Sequence, residues 1–305
     1  MVQNDIVSIA NTDVVFRGGT NSTTYDSALS TDIFKTLLGK PLTNQSRVNM
    51  RTHMGNEIDT NQRSLSYEEY KNIFYWLYVI EYANFNSQAA YNGELTSEGY
   101  HQGGLGNGLT TGNWNNWTSY NGNNPITPCG YGDDLGNHTG IKQITVDMSG
   151  SITFDMPRWR GFDNPFGDIW TNLDGILIDT PLAGASDPSI TPTCYIITNP
   201  SNYTDSLDNI DSMYSRKHTL PHNEGYIKER YTEVNGDIAP ISVGGSATTY
   251  SCDYYWVNYD DTPETLLVGG ILNDGSSAGI GGFRCSAGVS NSGADVGFRT
   301  VRPKN

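Results

Sequence analysis

The chain has 305 residues and a formal net charge of −15, and 36% of its residues are hydrophobic while 11% are aromatic. With 34 glycines, this composition predicts a loop-rich protein with β-structure, in which aromatic side chains supply much of the core. The acidic balance, without a basic stripe, disfavours nucleic acid or an anionic membrane surface as a partner. No apolar run reaches the roughly 18 residues that a transmembrane helix needs.

The N-terminal part of the chain predicts an extension ahead of the main domain. Residues 6–9 and 14–16 predict two short strands, and residues 30–39 predict a short helix. The first residues show no signal-peptide pattern, so we expect synthesis in the cytoplasm. Because terminal segments often dock on a neighbouring subunit, we expect residues 1–64 to serve attachment or oligomerisation.

The clearest helix signal in the chain begins at Ser66, which is placed to cap the helix, with Glu69 completing a capping box. Apolar residues at 73, 74, 77, 78, 80 and 85 predict one broad buried face. Glu81 projects from the middle of that face, so its carboxylate requires a partner, with Arg160 and Arg299 as candidates. A buried structural ion pair or hydrogen-bond hub is favoured over a catalytic acid, because no His, Lys or nucleophile accompanies Glu81.

A polar and aromatic stretch follows at residues 114–125, where Trp114, Trp117 and Tyr120 are interleaved with asparagines. Ring faces of this kind stack on sugars while amides bond hydroxyl groups, so the stretch is a candidate saccharide site. The alternative, a loop that folds its rings inward, stays open. The preceding glycines at 103–108 lack the strand and the GK[ST] ending of a nucleotide-binding loop.

Residues 159–176 combine two Trp, two Phe and three Gly with several Asp and Asn side chains. The glycines interrupt any helix and the apolar residues keep no helical period. We therefore interpret the segment as a buried structural loop that runs into a strand, with aromatic rings in the core and polar side chains on local backbone amides. Arg160 is the favoured partner of Glu81.

Alternating or apolar runs predict the remaining strands, and residues 199–240 predict an irregular polar region. The predicted strands are 141–148, 151–156, 176–178, 194–198, 251–258, 266–270, 282–286 and 296–301. Without a long linker or a break in composition, we expect one main domain at 65–305 preceded by the extension at 1–64.

The four cysteines are widely spaced, at Cys129, Cys194, Cys252 and Cys285. They form no CxxC pair, so we expect buried free thiols, and one disulfide stays open if two of them meet in the fold. His218 and His222 flank Pro221, which argues against a helical two-histidine metal site.

Three groups of motifs, in this order, resemble those of phage virion proteins with a C-type-lectin-like fold. They are the helix end at 78–88, the segment 159–170 with Asp174-Gly175, and a C-terminal set of Gly269-Gly270, Asp274-Gly275, Ala278-Gly279 and Val296-Gly297-Phe298-Arg299. The family includes phage tropism determinants, targets of diversity-generating retroelements and formylglycine-generating sulfatase-modifying enzymes. The resemblance covers about residues 65 to 302.

The resemblance implies an α+β fold: a C-type-lectin-like domain with twisted antiparallel strands, two helices and long loops. It implies a tail-fibre or head-fibre component of the virion that acts as an adhesin and binds a host surface glycan. Other virion proteins would be partners through the N-terminal region, and a homo-oligomer is expected, with a trimer favoured. Trp170 and Phe298 would fill the core, and Arg299 would bond loop carbonyls or a carboxylate.

The family binds ligands on its last strands and loops. The resemblance therefore implies a second set of ligand contacts in the C-terminal part of this chain, in addition to the stretch at residues 114–125. The residues at matching positions are Tyr254, Trp256, Asn258, Asp260, Asn273 and Asp274, with Asp253, Tyr255, Tyr259, Asp261 and Ser276 as neighbours.

Two other functions stay open. One is a capsid or tail decoration protein without a ligand of its own. The other is a metal-dependent, oxidase-like enzyme on the same fold, although that branch binds copper through two nearby cysteines, which this sequence does not reproduce. We expect no enzyme activity and no cofactor. Calcium is the metal that the many Asp and Asn residues would suit, but EF-hand spacing is absent.

Overall fold

The computed structural model describes residues 4–9, 13–18, 45–56, 63–87, 133–148, 150–167, 169–233, 235–271, 274–293 and 295–301. The predicted helix at 30–39, the stretch with Trp114, Trp117 and Tyr120, and the predicted ligand residue Asn273 lie outside the described residues.

β-strands make up most of the described chain. They are β1 Asn4–Ile9, β2 Asp13–Gly18, β3 Arg63–Ser64, β4 Gly140–Met148, β5 Gly150–Trp159, β6 Phe162–Asp163, β7 Trp170–Asp179, β8 Thr193–Ile196, β9 Arg216–Thr219, β10 Gly225–Arg230, β11 Pro240–Val243, β12 Tyr254–Val257, β13 Pro263–Gly269, β14 Gly279–Cys285, β15 Val296–Gly297 and β16 Thr300–Val301. Helix α1 is Arg47–Asn56, and helix α2 joins the segments Tyr67–Glu69, Tyr70–Trp76 and Leu77–Tyr82. The described chain is therefore mainly β-sheet with few helices.

A nine-stranded sheet organises the fold, in the order β11-β10-β12-β14-β13-β7-β8-β9, with β15 also paired to β7. The pairs are antiparallel except for β12 with β14 and β15 with β7. Strand β7 lies in the interior and is buried along nearly its whole length, because both faces of the sheet are covered there. Smaller sheets are formed by β1 with β2, β3 with β16, and β4 with β5 and β6.

The nine-stranded sheet curls until its two ends approach each other. His218 of β9 stacks on Tyr231, which follows β10, with ring centroids 4.2 Å apart. The Tyr231 hydroxyl also donates to the Thr219 carbonyl at 3.0 Å. Side chains rather than ladder hydrogen bonds thus bring the ends together, which gives the sheet a nearly barrel-like shape.

Helix α2 covers one face of the sheet, and its capping box is present as predicted, with Ser66 Oγ accepting from the Glu69 amide and Glu69 accepting from the Ser66 amide. The predicted apolar face is only partly right. Phe74 and Tyr78 are buried, but Ile80 is 71% exposed. The exposed set also includes Leu77 and Phe85.

Buried tyrosines explain that difference. The hydroxyls of Tyr70 and Tyr78 donate to the carbonyls of Ile280 and Ser87, and the Tyr67 hydroxyl accepts from the Ile238 amide. Rings with satisfied hydroxyls pack as well as aliphatic groups, so these tyrosines define the buried side. The middle segment Tyr70–Trp76 is also π-helical, and its wider turn shifts the register of the faces.

Other predicted elements differ from the structure in specific places. The region predicted to be irregular contains β9 and β10, and helix α1 was not predicted. The strand predicted at 251–258 is confined to β12, because Cys252 has a positive φ of 60° that interrupts extended backbone. Helix α1 is tied to the sheet by Arg47, whose Nη1 donates to the Ile176 carbonyl of β7 at 2.6 Å.

Candidate functional site

The two faces of the sheet differ in the side chains that alternate along β12 and β14. Tyr255 and Phe283 point to the face that helix α2 covers, and both belong to the main core. We call this the closed face. Tyr254, Trp256 and Arg284 alternate to the opposite side, which we call the open face, where they are half-buried.

Three half-buried rings form a continuous stripe on the open face, which we call the aromatic platform: Tyr226 of β10, then Tyr254 and Trp256 of β12. The ring centroids of Tyr226 and Tyr254 are 5.1 Å apart, and those of Tyr254 and Trp256 are 4.8 Å apart. Trp256 in turn meets the buried ring of Trp170 edge-on at 4.9 Å. Every ring of the platform stands on a strand, which holds it rigidly.

The backbone of β14 runs beside the largest ring of the platform at a glycine. Trp256 lies beside Gly282 of β14, where a Cβ atom would sit 3.6 Å from the Trp256 ring and 3.1 Å from the Gly279 carbonyl oxygen. The second of these distances is tighter than ordinary packing, so a larger residue would displace the strand or the ring.

Hydroxyl groups border the Tyr226 end of the platform. The Tyr226 hydroxyl lies 2.9 Å from Ser276 Oγ and 3.3 Å from Ser277 Oγ, and both serines belong to the helical turn Gly275–Ser277. Each hydroxyl can donate and accept, so this border offers hydrogen bonds of either sense to a ligand that lies on the rings.

A cation borders the Trp256 side of the platform. Arg284 lies next to Trp256 in the register of β12 and β14. Its guanidinium carbon is 5.2 Å from the Trp170 ring centroid, within the range of a cation–π contact. Arg284 Nε donates to Ser286 Oγ at 3.0 Å, which fixes the plane of the group.

The polar residues predicted to bind ligand are divided between two places. Asp274 precedes the serine turn, and its Oδ2 accepts from the Ile271 amide at 2.8 Å, while burial raises the pKa of Asp274 to about 6. Asn258 and Asp260 are exposed beyond the other end of β12, where Asp260 Oδ1 accepts from the amide and hydroxyl of Thr262. The structure thus brings the rings of Tyr254 and Trp256 together, whereas Asn258 and Asp260 are exposed residues that follow β12. Ligand binding by these residues stays a prediction.

The residues predicted as structural core occupy different depths. Trp170 is 1% exposed, whereas Phe298 is only half-buried. Arg299 donates to the carbonyls of Asp163 and Asn164, at 3.1 and 2.5 Å. These are loop carbonyls, as the resemblance implied.

The predicted ion pair between Glu81 and Arg160 forms, but at the surface. Arg160 Nε lies 2.5 Å from Glu81 Oε2, and 51% of the Arg160 side chain is exposed, so the expectation of a buried pair was wrong. Arg160 and Gly161 are the two central residues of the hairpin between β5 and β6, and both have positive φ. This turn points Arg160 outward, while Trp159 beside it is fully buried and donates to Glu81 from Nε1 at 3.1 Å.

Sequence reasoning missed Tyr226 and Arg284. Tyr226 lies in the region predicted to be irregular, although Tyr226 and Ile227 alternate between the faces as in any strand. Arg284 follows the core residue Phe283 in a predicted strand, so the period of two already placed it on the opposite face.

The described cysteines are buried free thiols, as predicted. Burial raises the pKa of Cys194 to about 12 and that of Cys252 to about 11, so both are protonated near neutral pH. Across the described ranges, no group of three or more His, Cys, Asp or Glu side chains is arranged to hold a metal ion. No helix in the same ranges is long and apolar enough to cross a bilayer.

Comparison of the chain with family models, curated proteins and solved structures finds no match.

Proposed function

We propose that this chain is a phage virion protein, a tail-fibre or head-fibre adhesin with a C-type-lectin-like domain that binds a host surface glycan on the aromatic platform. The observation that carries the proposal is the continuous stripe of Tyr226, Tyr254 and Trp256, half-exposed and held on neighbouring strands. The sequence resemblance supplies the virion context, and the sheet with its flanking helix is compatible with it.

The chemistry of the platform suits a saccharide. Aromatic faces attract the C–H faces of sugar rings, and they lose little conformational entropy because each side chain has few rotatable bonds. The serine hydroxyls at one border supply short hydrogen bonds to sugar hydroxyls, as in other sites where a few polar groups orient a mainly apolar contact. The planes of adjacent rings are inclined by 80° for Tyr226 and Tyr254 and by 49° for Tyr254 and Trp256, so a sugar that stacks on one ring meets the next at an angle.

The test is a glycan array probed with the full chain and with a Tyr254→Ala, Trp256→Ala double variant. We expect the wild-type protein to bind at least one saccharide class. The double variant should lose at least about tenfold in affinity, because central aromatic contacts each contribute more than about 1 kcal/mol. Tyr214→Ala is the matched control, since Tyr214 pairs with Tyr195 elsewhere on the protein at 5.4 Å. Absence of saccharide binding by the wild type, or equal binding by the double variant, would refute the proposal.

A decoration protein without a ligand is the second candidate, and the outer side of helix α2 favours it. Leu77, Ile80 and Phe85 are 36%, 71% and 42% exposed, and apolar side chains in such proximity often mark a protein contact. If the chain is a decoration protein, we expect Ile80→Asp to prevent its incorporation into particles. Asn72→Asp, on the exposed side of the same helix, should not. Normal incorporation of Ile80→Asp would remove the support from this surface.

A further inference from the structure

We propose that Arg284 recognises an anionic group on the saccharide, so the ligand of the platform is an acidic glycan that carries a carboxylate or phosphate. This inference rests on the proposed saccharide binding and adds the chemical class of the ligand.

Arg284 differs from the other described arginines in its hydrogen-bond acceptors. Every other arginine whose side chain the structure describes donates to a carboxylate or to main-chain carbonyls. Their acceptors are Asp205 for Arg47, Asp174 and Asp205 for Arg51, Glu69 for Arg63, Asp163 for Arg158, Glu81 for Arg160, Asp237 and Glu68 for Arg216, Asp253 for Arg230, and the carbonyls of Asp163 and Asn164 for Arg299. Arg284 donates from Nε to a serine hydroxyl, and its terminal nitrogens have no acceptor among the described residues.

That difference matters in a chain with 33 acidic and only 18 basic residues. Because carboxylates outnumber cations, a shortage of carboxylates does not explain why Arg284 has no carboxylate partner among the described residues. Arg284 even lies within electrostatic reach of Asp274, whose pKa its charge lowers, yet that carboxylate is directed to the Ile271 amide. Among the described residues, no acceptor therefore occupies the two terminal nitrogens of Arg284.

The guanidinium is also held in one orientation. Its plane is fixed by Ser286 Oγ at Nε, and its carbon lies over the Trp170 ring. A planar guanidinium with free terminal nitrogens binds carboxylate or phosphate oxygens through two parallel hydrogen bonds. Because the group is oriented before the ligand arrives, little conformational entropy is lost on binding.

Arg284 and the platform can contact one ligand simultaneously. Trp256 and Arg284 are register partners on adjacent strands, and their side chains emerge on the same face. Directly opposed side chains on neighbouring strands lie about 5 Å apart at their Cβ atoms, which is the scale of one sugar ring. A sugar stacked on Trp256 therefore places a ring substituent at the guanidinium.

The surrounding charges restrict where an anion can bind. Asp295 and Arg284 act on the pKa of Asp274 in opposite directions, so negative and positive groups lie side by side at this border. Glu224 acts on the pKa of Tyr254 at the other side of the platform. An acidic group placed near Asp295 or Glu224 is repelled. The charges around the platform therefore favour a ligand whose acidic group lies at Arg284.

A purely structural role for Arg284, packing on Trp170, is the competing explanation. Two variants separate the roles. Arg284→Gln removes the charge, and Arg284→Lys keeps it but loses the planar fork. Lys217→Gln is the matched control, because Lys217 makes a comparable contact 5.5 Å from the Tyr214 ring, away from the platform.

The experiment uses the full chain on an array of matched saccharides: neutral, uronic-acid-containing and phosphorylated forms of the same backbones. We expect the wild type to prefer one of the acidic forms, which also identifies the acid as carboxylate or phosphate. Arg284→Gln should weaken binding of that form about tenfold or more and leave the neutral form within about twofold, and Arg284→Lys should fall between, because a charged hydrogen-bonded pair is lost only for the acid. Lys217→Gln should match the wild type.

Equal binding of neutral and acidic forms by the wild type, or equal losses for both forms in Arg284→Gln, overturns the inference while leaving saccharide binding on the platform intact. Failure of the wild type to bind any form refutes the proposed function as well. If Arg284→Gln does not fold, Ser286→Ala replaces it. That variant removes the acceptor at Nε and should give a smaller loss confined to the acidic form, and a loss shared by the neutral form counts against the inference.

Discussion

The closed and open faces of the nine-stranded sheet differ in how their charged side chains are paired. Beneath helix α2, Lys71 and Asp237 are each 2% exposed and lie 3.1 Å apart, and Arg216 and His218 complete the contacts of Asp237. On the open face, Arg284 is half-buried and has a hydroxyl as its only described acceptor. A buried charge must be paired for the fold to be stable, whereas a half-exposed charge can stay unpaired at little cost. The closed face therefore pairs its charges, whereas the open face holds an arginine that has no carboxylate partner among the described residues.

Replacing one tryptophan on each face tests this comparison with the largest expected effects. Trp159 is fully buried and packs against Tyr78, with ring centroids 5.3 Å apart, so Trp159→Ala should cost about 3–5 kcal/mol of unfolding free energy. Trp256→Ala should cost less than half as much, because that ring is already half-exposed. Urea unfolding monitored by circular dichroism gives both values, and equal costs would contradict the assignment of the two faces.

Asp237→Asn addresses the charge network of the closed face. The amide keeps the volume but removes one of the two carboxylates, Asp237 and Glu68, that Lys71 and Arg216 share, so we expect a loss of about 1–3 kcal/mol. Asp211→Asn, at an exposed aspartate, is the control and should change stability by less than about 0.5 kcal/mol. A loss no larger than that of the control would show that the network contributes little.

The pH dependence of Asp237 has a definite sign. Burial alone would raise its pKa, but hydrogen bonds with His218 and Arg216 outweigh burial and hold the pKa well below its usual range. The contribution of this group is then complete above the unfolded-state pKa of about 4 and is lost as the pH falls toward the folded-state pKa. Asp237→Asn should remove this part of the acid sensitivity.

Glu264 is an exception among the buried acidic groups of the described residues. It is fully buried, its Oε2 has no hydrogen-bond partner among the described residues, and burial together with Asp260 raises its pKa to about 8. The folded state therefore binds more protons than the unfolded state between about pH 4 and pH 8, so stability falls with rising pH by up to about 1.4 kcal/mol per unit. Glu264→Gln should become more stable relative to the wild type as the pH is raised from 5 to 8.

Denaturant titrations at several pH values measure that difference, with Glu233→Gln, at an exposed glutamate, as the control. Burial raises the pKa of Asp253 to about 7 and that of Asp274 to about 6, so both groups also lower stability as the pH rises. The unfolding free energy of the Glu264→Gln variant should therefore still fall with pH, although less steeply. A constant difference between Glu264→Gln and the wild type would show that Glu264 is ionised in the folded protein.

Local patterns predicted elements more reliably than faces. The capping box at Ser66, the strands at 141–148 and 151–156 and the first two short strands are all present, because caps and alternation depend on neighbours in sequence. The buried side of helix α2 could not be predicted correctly, since it depended on whether distant carbonyls would accept from tyrosine hydroxyls.

The same distinction applies to the candidate site. The sequence marked Tyr254 and Trp256 as ligand residues, and these two do lie side by side. It did not mark Tyr226 or Arg284, which belong to strands that join β12 only through the sheet. Asn258 and Asp260 follow Trp256 closely in sequence but lie beyond the end of β12, where both are exposed.

By itself, the sequence determined the β-rich character of this protein, its acidic balance and its dependence on buried aromatic rings, since composition and short-range periodicity encode these properties. Only the tertiary structure decided which cations are paired and which are free. Pairing depends on distances between residues far apart in the chain: Asp237 meets Lys71 across 166 positions, whereas the hydrogen-bond acceptor of Arg284 among the described residues is a serine two residues away. Those distances are set by the order of strands in the sheet, which no local pattern specifies.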